Sequence, residues 1–423
     1  MSAFLIITIL VAIAAIFGYI NVRFLKLPNT IGLMLITIVF TLVVVGIGYF
    51  FDDTLLEAER SIISQIDFKT VLMDGMLSFL LFAGALHTNF AQLKVQRWPV
   101  LAFSTLGVLI STFLVGTAMF YVLPLIGLQV SFIHCLLFGA LISPTDPIAV
   151  LGILKKVGAP KKLETKIVGE SLFNDGVGVV VFLTIFQIAE VGTGNIQILD
   201  IATLFVHEVF GGIILGGIIG WITYRLMRSI DDYDIEVIIT LAAVMTGTAV
   251  AQKLHVSAPL AMVTAGLIVG NDTVRGSAMS KITENYVDKF WELIDILLNT
   301  VLFVLIGMEM LVLAFEGQYI IAGLLAIPIT LLCRYASLQL PISFFKKRLD
   351  FVPRTNLIMT WGGLRGGISI ALALGLTEVM ERDLFLVITY VIVVFSIIVQ
   401  GLTVGSLIRK ITGGKGDQEK SAH

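Results

Sequence analysis

The sequence predicts an all-α polytopic membrane protein, and three observations carry that expectation. The chain of 423 residues is 57% hydrophobic and 14% charged, with a mean hydropathy of +0.99. A soluble domain carries about 25% charged residues. Apolar runs long enough to cross a bilayer, about 20 residues each, recur from one end to the other. Basic residues gather in alternate loops between those runs.

Taken in order, the runs place spans near 3–22, 29–50, 68–86, 98–122, 131–154, 165–189, 201–224, 235–253 and 257–270. Four more follow near 289–314, 318–345, 354–376 and 384–408, giving about thirteen transmembrane helices. The stretch Val274 to Asp288 reads as an interfacial amphipathic segment. No Lys or Arg precedes Arg23, so residues 3–22 read as a retained first span and not as a cleaved signal. With the N-terminus outside, 22 of the 28 basic residues fall on the inner side, Lys155, Lys156, Lys161, Lys162 and Lys166 forming the densest group. Only Arg60, Lys69, Lys253 and Arg382 lie outside, so the C-terminus is placed inside. The outer loops carry acids instead, read as a solvated face. Net charge −2 gives no footprint for nucleic acid. Cys135 and Cys333 sit in separate apolar runs and read as small core residues. The glycines Gly211, Gly212, Gly216, Gly217 and Gly220 read as a close-packing face of span seven, since no strand precedes them and no Lys-Ser/Thr follows.

Two spans are interrupted. Span five contains Ser143-Pro144-Thr145-Asp146-Pro147, where two prolines and an aspartate break the apolar run. Span twelve contains Trp361-Gly362-Gly363-Leu364-Arg365-Gly366-Gly367. Irregular backbone at membrane depth is tolerated only where protein or water surrounds it. The two lie seven spans apart and so occupy matching positions in two six-helix units of opposite orientation. Such paired interruptions point to a transporter site at the midplane.

The polar residues of span six supply the chemistry. In Gly169-Glu170-Ser171-Leu172-Phe173-Asn174-Asp175-Gly176, Ser171 and Asp175 share one helical stripe, and Glu170 and Asn174 share the next. Carboxylate and hydroxyl oxygens are the ligands that alkali ions need. Asp175 with Ser171 is therefore the expected exchanging site. Asp146 either ligates the ion or, as the favoured reading, neutralises the positive N-terminus of a half-helix, with Thr145 offering oxygen nearby. Glu170 reads as the partner of an arginine more than as a direct ligand. Arg365 is the favoured partner, and Arg334 is left to offset the negative ends of broken helices. Asn299 and Thr300 either close the site from span ten or glue helices together. Asp74, Glu208, Asp295 and Glu309 are either helix-packing or interfacial groups or residues of the ion path. Asp146, Glu170 and Asp175 against Arg334 and Arg365 leave the empty core at −1, which one monovalent cation or one proton neutralises. A neutral loaded state crosses an apolar barrier more cheaply than a charged one, which predicts electroneutral one-for-one exchange.

These motifs, with Arg334 in span eleven, resemble the cation/proton antiporters, specifically the NhaP-like sodium/proton antiporter branch related to the animal sodium/proton exchangers. The resemblance implies crossed broken helices, a homodimer and elevator-like alternating access. It also implies that Asp175 binds ion and proton, that Glu170, Ser171, Asp146 and Thr145 form or support the site, and that Arg365 partners Glu170. Electrogenic relatives carry two adjacent aspartates where this chain has Asn174-Asp175, so the resemblance agrees with the charge count. The expected organisation is one transmembrane domain over 1–410, its core around spans 3–6 and 10–13 and its dimerisation part from the remaining spans, with a short tail at 411–423. The expected substrates are a proton and Na+, with Li+ or K+ as alternatives, and no cofactor is expected. A cation channel, or an intramembrane aspartyl protease using Asp146 and Asp175, is the competing reading.

Overall fold

A computed structural model of the chain describes residues 3–50, 71, 75–88, 90–191, 198–309, 316–345 and 353–412. In order the helices are α1 (Ala3–Ile20), α2 (Asn29–Phe50), α3 (Leu77–Leu86), α4 (Phe90–Val95), α5 (Arg97–Ala102), α6 (Val108–Val122), α7 (Phe132–Ile142), α8 (Pro147–Lys156), α9 (Lys161–Val191) and α10 (Ile198–Met227). They continue as α11 (Tyr233–Lys253), α12 (Ala258–Val269), α13 (Asp272–Ala278), α14 (Lys281–Glu309), α15 (Gly317–Phe345), α16 (Thr355–Trp361), α17 (Gly367–Leu374), α18 (Arg382–Phe395) and α19 (Gly401–Thr412). No strand occurs among the described residues. Eight helical segments among them are long and apolar enough to cross a bilayer, and four shorter apolar helices accompany them. Every predicted span overlaps a helix or a broken pair of helices.

Spans five and twelve are broken where the sequence places the breaks. The prolines contribute no N–H, and α7 gives way to α8 across Ser143–Asp146. The glycine-rich stretch gives way between α16 and α17. Each broken pair is flanked alike. Helix α7 packs on α6 and α9, while α16 packs on α15 and α17 on α18. Helices α15 and α6 in turn pack on each other, which matches the inverted-unit expectation.

Small residues let backbones touch. A β-carbon on Gly139 would stand 2.3 Å from the Thr112 carbonyl of α6, and one on Gly216 would stand 2.2 Å from the Ala261 carbonyl of α12. Gly211, Gly212 and Gly220 face the same neighbour region, so the predicted glycine face of span seven is a helix–helix contact. Gly217 is the exception, with nothing within 4 Å of the corresponding position.

Two expectations need correction. The stretch Val274 to Asp288 is not a separate interfacial segment. It holds the short α13 and the first two turns of α14, which runs unbroken for 29 residues. Its charges are spent locally: Arg275 binds Asp288 at 2.8 Å, Glu284 at 3.3 Å and the Leu86 carbonyl at 3.0 Å. That clasp lets a charged segment continue as helix beside the end of α3. Lys166, counted with the inner loop, lies instead inside α9 and is 1% exposed. Cys135 and Cys333 are free thiols, buried and half-buried. Asp74, the outer-loop residues 52–60, Lys69, Lys346–Arg348 and the tail after 412 lie outside the described residues.

The glycine face generates a paired test. Gly216→Ala is expected to lower stability by about 1–3 kcal/mol through overpacking, whereas Gly217→Ala is expected to be neutral or to gain up to about 1 kcal/mol of helix propensity. Thermal unfolding of the two detergent-solubilised variants measures the contrast.

Candidate ion-binding site

The two breaks meet. The Asp146 N–H donates to the Leu364 carbonyl at 2.8 Å, so the unwound segments of spans five and twelve are hydrogen-bonded to each other across the middle of the fold. A crossing of this kind leaves four helix ends in an apolar interior. Helix N-termini carry partial positive charge and C-termini partial negative charge, and neither is cheap to leave uncompensated.

Each end is met by a side chain of the opposite sign. At the C-terminal end of α7 the Arg365 guanidinium donates to the carbonyls of Ser143 and Pro144, the latter at 2.7 Å. The Arg365 N–H is itself held by Ser396 Oγ at 2.9 Å. At the C-terminal end of α16, Arg334 Nε donates to the Met359 carbonyl at 3.3 Å and Gln400 Nε2 to the Trp361 carbonyl at 3.0 Å. Asp146 immediately precedes α8, and its carboxylate packs against Gly366, which immediately precedes α17. A β-carbon at Gly366 would stand 2.5 Å from Asp146 Oδ2, so only glycine lets this acid sit between the two N-termini. The favoured reading of Asp146 as the counter-charge to a half-helix therefore extends to two half-helices.

The floor of the site is α9. Glu170, 1% exposed, is held by Arg334 at 3.0 Å through Oε1 and at 3.2 Å through Oε2. The expected partnership is thus exchanged. Arg334, and not Arg365, binds Glu170, while Arg365 compensates a broken helix end. The sequence separation of 164 residues hides the first pairing, and the glycines around Arg365 hide the second.

At the next residue, Ser171 Oγ lies 2.9 Å from Thr145 Oγ1. Asn174 Nδ2 donates to the same hydroxyl at 2.9 Å, and Asn174 Oδ1 accepts from the Thr145 N–H at 3.3 Å. Asn174 is therefore more than an uncharged neighbour of the aspartate. It clamps the unwound strand to α9 through both ends of its amide, and an aspartate there would lack the donor.

Asp175 is treated differently. It is 2% exposed, and its Oδ1 has no hydrogen-bond partner. It lines a cavity of about 40 Å³ together with Thr145, Asp146, Asn299 and Ser369. Of the predicted site residues, Asp175, Asp146 and Thr145 thus meet at one cavity. Ser171 is joined to it through Thr145, while Glu170, Asn174, Arg334 and Arg365 form the surrounding frame. From span ten, Asn299 reaches the cavity, but the Thr300 hydroxyl returns to the Ile296 carbonyl of its own helix at 2.6 Å.

Ser396 and Gln400 belong to the frame of the crossing and are not among the residues the sequence singles out. Their signal is an i, i+4 polar pair inside the apolar run 384–408.

A family model described as "Sodium/hydrogen exchanger, transmembrane" matches residues 11–410. The Na(+)/H(+) antiporter NhaP of Pseudomonas aeruginosa is 49% identical over 422 residues, covering 98% of each chain. The Na(+)/H(+) antiporter NhaH of Halobacillus dabanensis is 33% identical over 92% of this chain and 93% of its own. The solved structure of the sodium proton antiporter MjNhaP1 from Methanocaldococcus jannaschii superposes with a TM-score of 0.76. It covers 98% of this chain and 100% of its own at 19% identity, a likeness of fold. An apolar helical chain with these relatives is an integral membrane protein. It belongs to the transmembrane sodium/hydrogen exchanger family.

Proposed function

We propose that the protein is a secondary active transporter that exchanges Na+, with Li+ or K+ as alternatives, for H+ by alternating access. One observation carries the reading: Asp175 lines a cavity and is a buried carboxylate with one unpartnered oxygen, amid charges that are otherwise matched. Glu170 and Arg334 neutralise each other. Asp146 and Arg365 answer opposite ends of the broken helices. The charge left over is that of Asp175, so the cavity holds one monovalent cation or one proton. Cation and proton then compete for the same oxygens. An empty, anionic site is the state least able to cross the apolar barrier. Electroneutral one-for-one exchange follows.

Asp175 and Thr145 supply ligand oxygens in this reading, with Ser171 orienting the Thr145 hydroxyl and Asp146 contributing field or a ligand. Asn174, Glu170, Arg334 and Arg365 hold the geometry. The transport cycle requires no cofactor and no covalent step. The relatives named above are sodium/proton antiporters, which supports this assignment of substrate. We place the protein in the plasma membrane with thirteen crossings, the N-terminus outside and the C-terminus inside, as a homodimer with a transmembrane domain over 1–410.

Three outcomes test the proposal. Asp175→Asn is expected to abolish proton flux in proteoliposomes challenged with sodium, lithium or potassium chloride, and full exchange by that variant would overturn it. An imposed membrane potential is expected to leave the wild-type rate unchanged, and a strong response would overturn the one-for-one stoichiometry. Glu170→Gln strands Arg334 in the interior and is expected to cost about 3–5 kcal/mol of stability while leaving ion preference as it was. Thermal unfolding alongside ion competition measures both.

A further inference from the structure

Helix α14 carries Glu284, Asp288, Glu292, Asp295 and Asn299 at steps of three and four residues. At about 100° per residue these fall within about 80° of the helix surface. Leu302, next on the same stripe, lines the cavity with Asn299. The opposite surface exposes large apolar side chains, Ile282 at 62% and Leu293 at 63%, with Lys289 beside them. A polar stripe therefore runs from the Lys281 end of the helix up to the Asp175 cavity.

The acids on that stripe are not equivalent. Glu284 and Asp288 are held by Arg275, and Glu292 binds Lys289 at 3.1 Å. Asp295, among the described residues, has no basic partner within ion-pairing distance. Its carboxylate accepts from Asn299 Nδ2 at 3.0 Å, and its carbonyl accepts from the same nitrogen at 2.9 Å. Both bonds use the Asn299 nitrogen, which is thereby committed to Asp295. The amide oxygen is then the atom Asn299 offers elsewhere. Asn299 is 8% exposed and borders the cavity that Asp175 also lines. An intramembrane carboxylate without a counter-cation is costly unless a cation visits it.

We propose that Asp295, with the side-chain oxygen of Asn299, is an inner capture site for the transported monovalent cation, occupied before the ion reaches Asp175. The proposal rests on the antiport reading and on the orientation given above. A cation arriving from the Lys281 end meets acids already neutralised by Arg275 and Lys289, then Asp295, then the Asn299 oxygen, then Asp175. Asp295 raises the local cation concentration on one side of the membrane only. It acts on loading and not on the exchange step.

The test uses the full-length protein in right-side-out and inside-out vesicles, with sodium chloride titrated on each face and proton flux recorded for wild type, D295N, D295E and D175N. With sodium presented to the inner face, D295N is expected to raise the half-saturating concentration about tenfold, the factor given by about 1.4 kcal/mol of lost attraction. Its maximal rate is expected to stay within about twofold of wild type. From the outer face the half-saturating concentration is unchanged, and D295E recovers the inner-face value to within about twofold. An unchanged inner-face value in D295N, an equal shift from both faces, or a D295N protein that does not assemble would each overturn the capture site. Absence of sodium-coupled flux in wild type would overturn the antiport reading instead. D175N, inactive from either face, separates loss of the exchanging site from loss of capture.

Discussion

The hydrogen bond from the Asp146 N–H to the Leu364 carbonyl is the constraint on which the rest of the structure depends. It joins two backbones that have left helical geometry in an apolar interior, where unpaired peptide groups are costly. Once the crossing exists, four helix ends point inward and must be met. Arg365 and Arg334 meet the carbonyl ends, and Asp146 meets the amide ends. Glu170 then holds Arg334, and Asn174 with Ser171 holds the unwound strand against α9. The frame is a chain of obligations that starts at one backbone contact.

Asp175 stands outside that chain. Every other charged side chain of the crossing has a partner, whereas one Asp175 oxygen has none. A site that must bind and release an ion cannot be satisfied by the protein alone. A carboxylate held by an arginine would compete poorly for sodium, and one open to bulk water would not be sensitive to what occupies the cavity. Burial with a free lone pair lies between those limits. On the proposed reading this division of labour also separates stability from turnover: frame residues hold the fold, and the exchanging group costs the fold little when it is neutralised.

Much of this was legible in the sequence because it is written in local signals. Prolines at 144 and 147 and glycines at 362, 363, 366 and 367 mark the breaks, and the i, i+4 pair of Ser171 and Asp175 marks the polar face of α9. What was not legible is pairing across distance. Arg334 and Arg365 are both lone cations in apolar runs, and nothing local says which one faces Glu170. The groups that Arg365 meets are carbonyls freed by the break in span five, which no residue near it in the chain announces. The charged stretch Val274 to Asp288 reads as an interfacial segment for the same reason, because the clasp of Arg275 on Asp288 and Glu284 closes only in three dimensions. Ser396 and Gln400 were passed over because single polar residues in a long apolar run look like noise until a broken helix end is seen beside them.

The contact of Gly366 with Asp146 has a consequence for how such a chain can diverge. The two residues lie in opposite halves, 220 positions apart, yet the space at one is set by the side chain of the other. A β-carbon gained at 366 displaces the acid at 146, and a longer acid at 146 presses on the backbone at 366. Neither half can drift alone at this point, so duplication and divergence of the two units would have been coupled there from the start. A chimera that takes one half from a relative with a different pair at these positions inherits a mismatched crossing, however similar the rest of its helices.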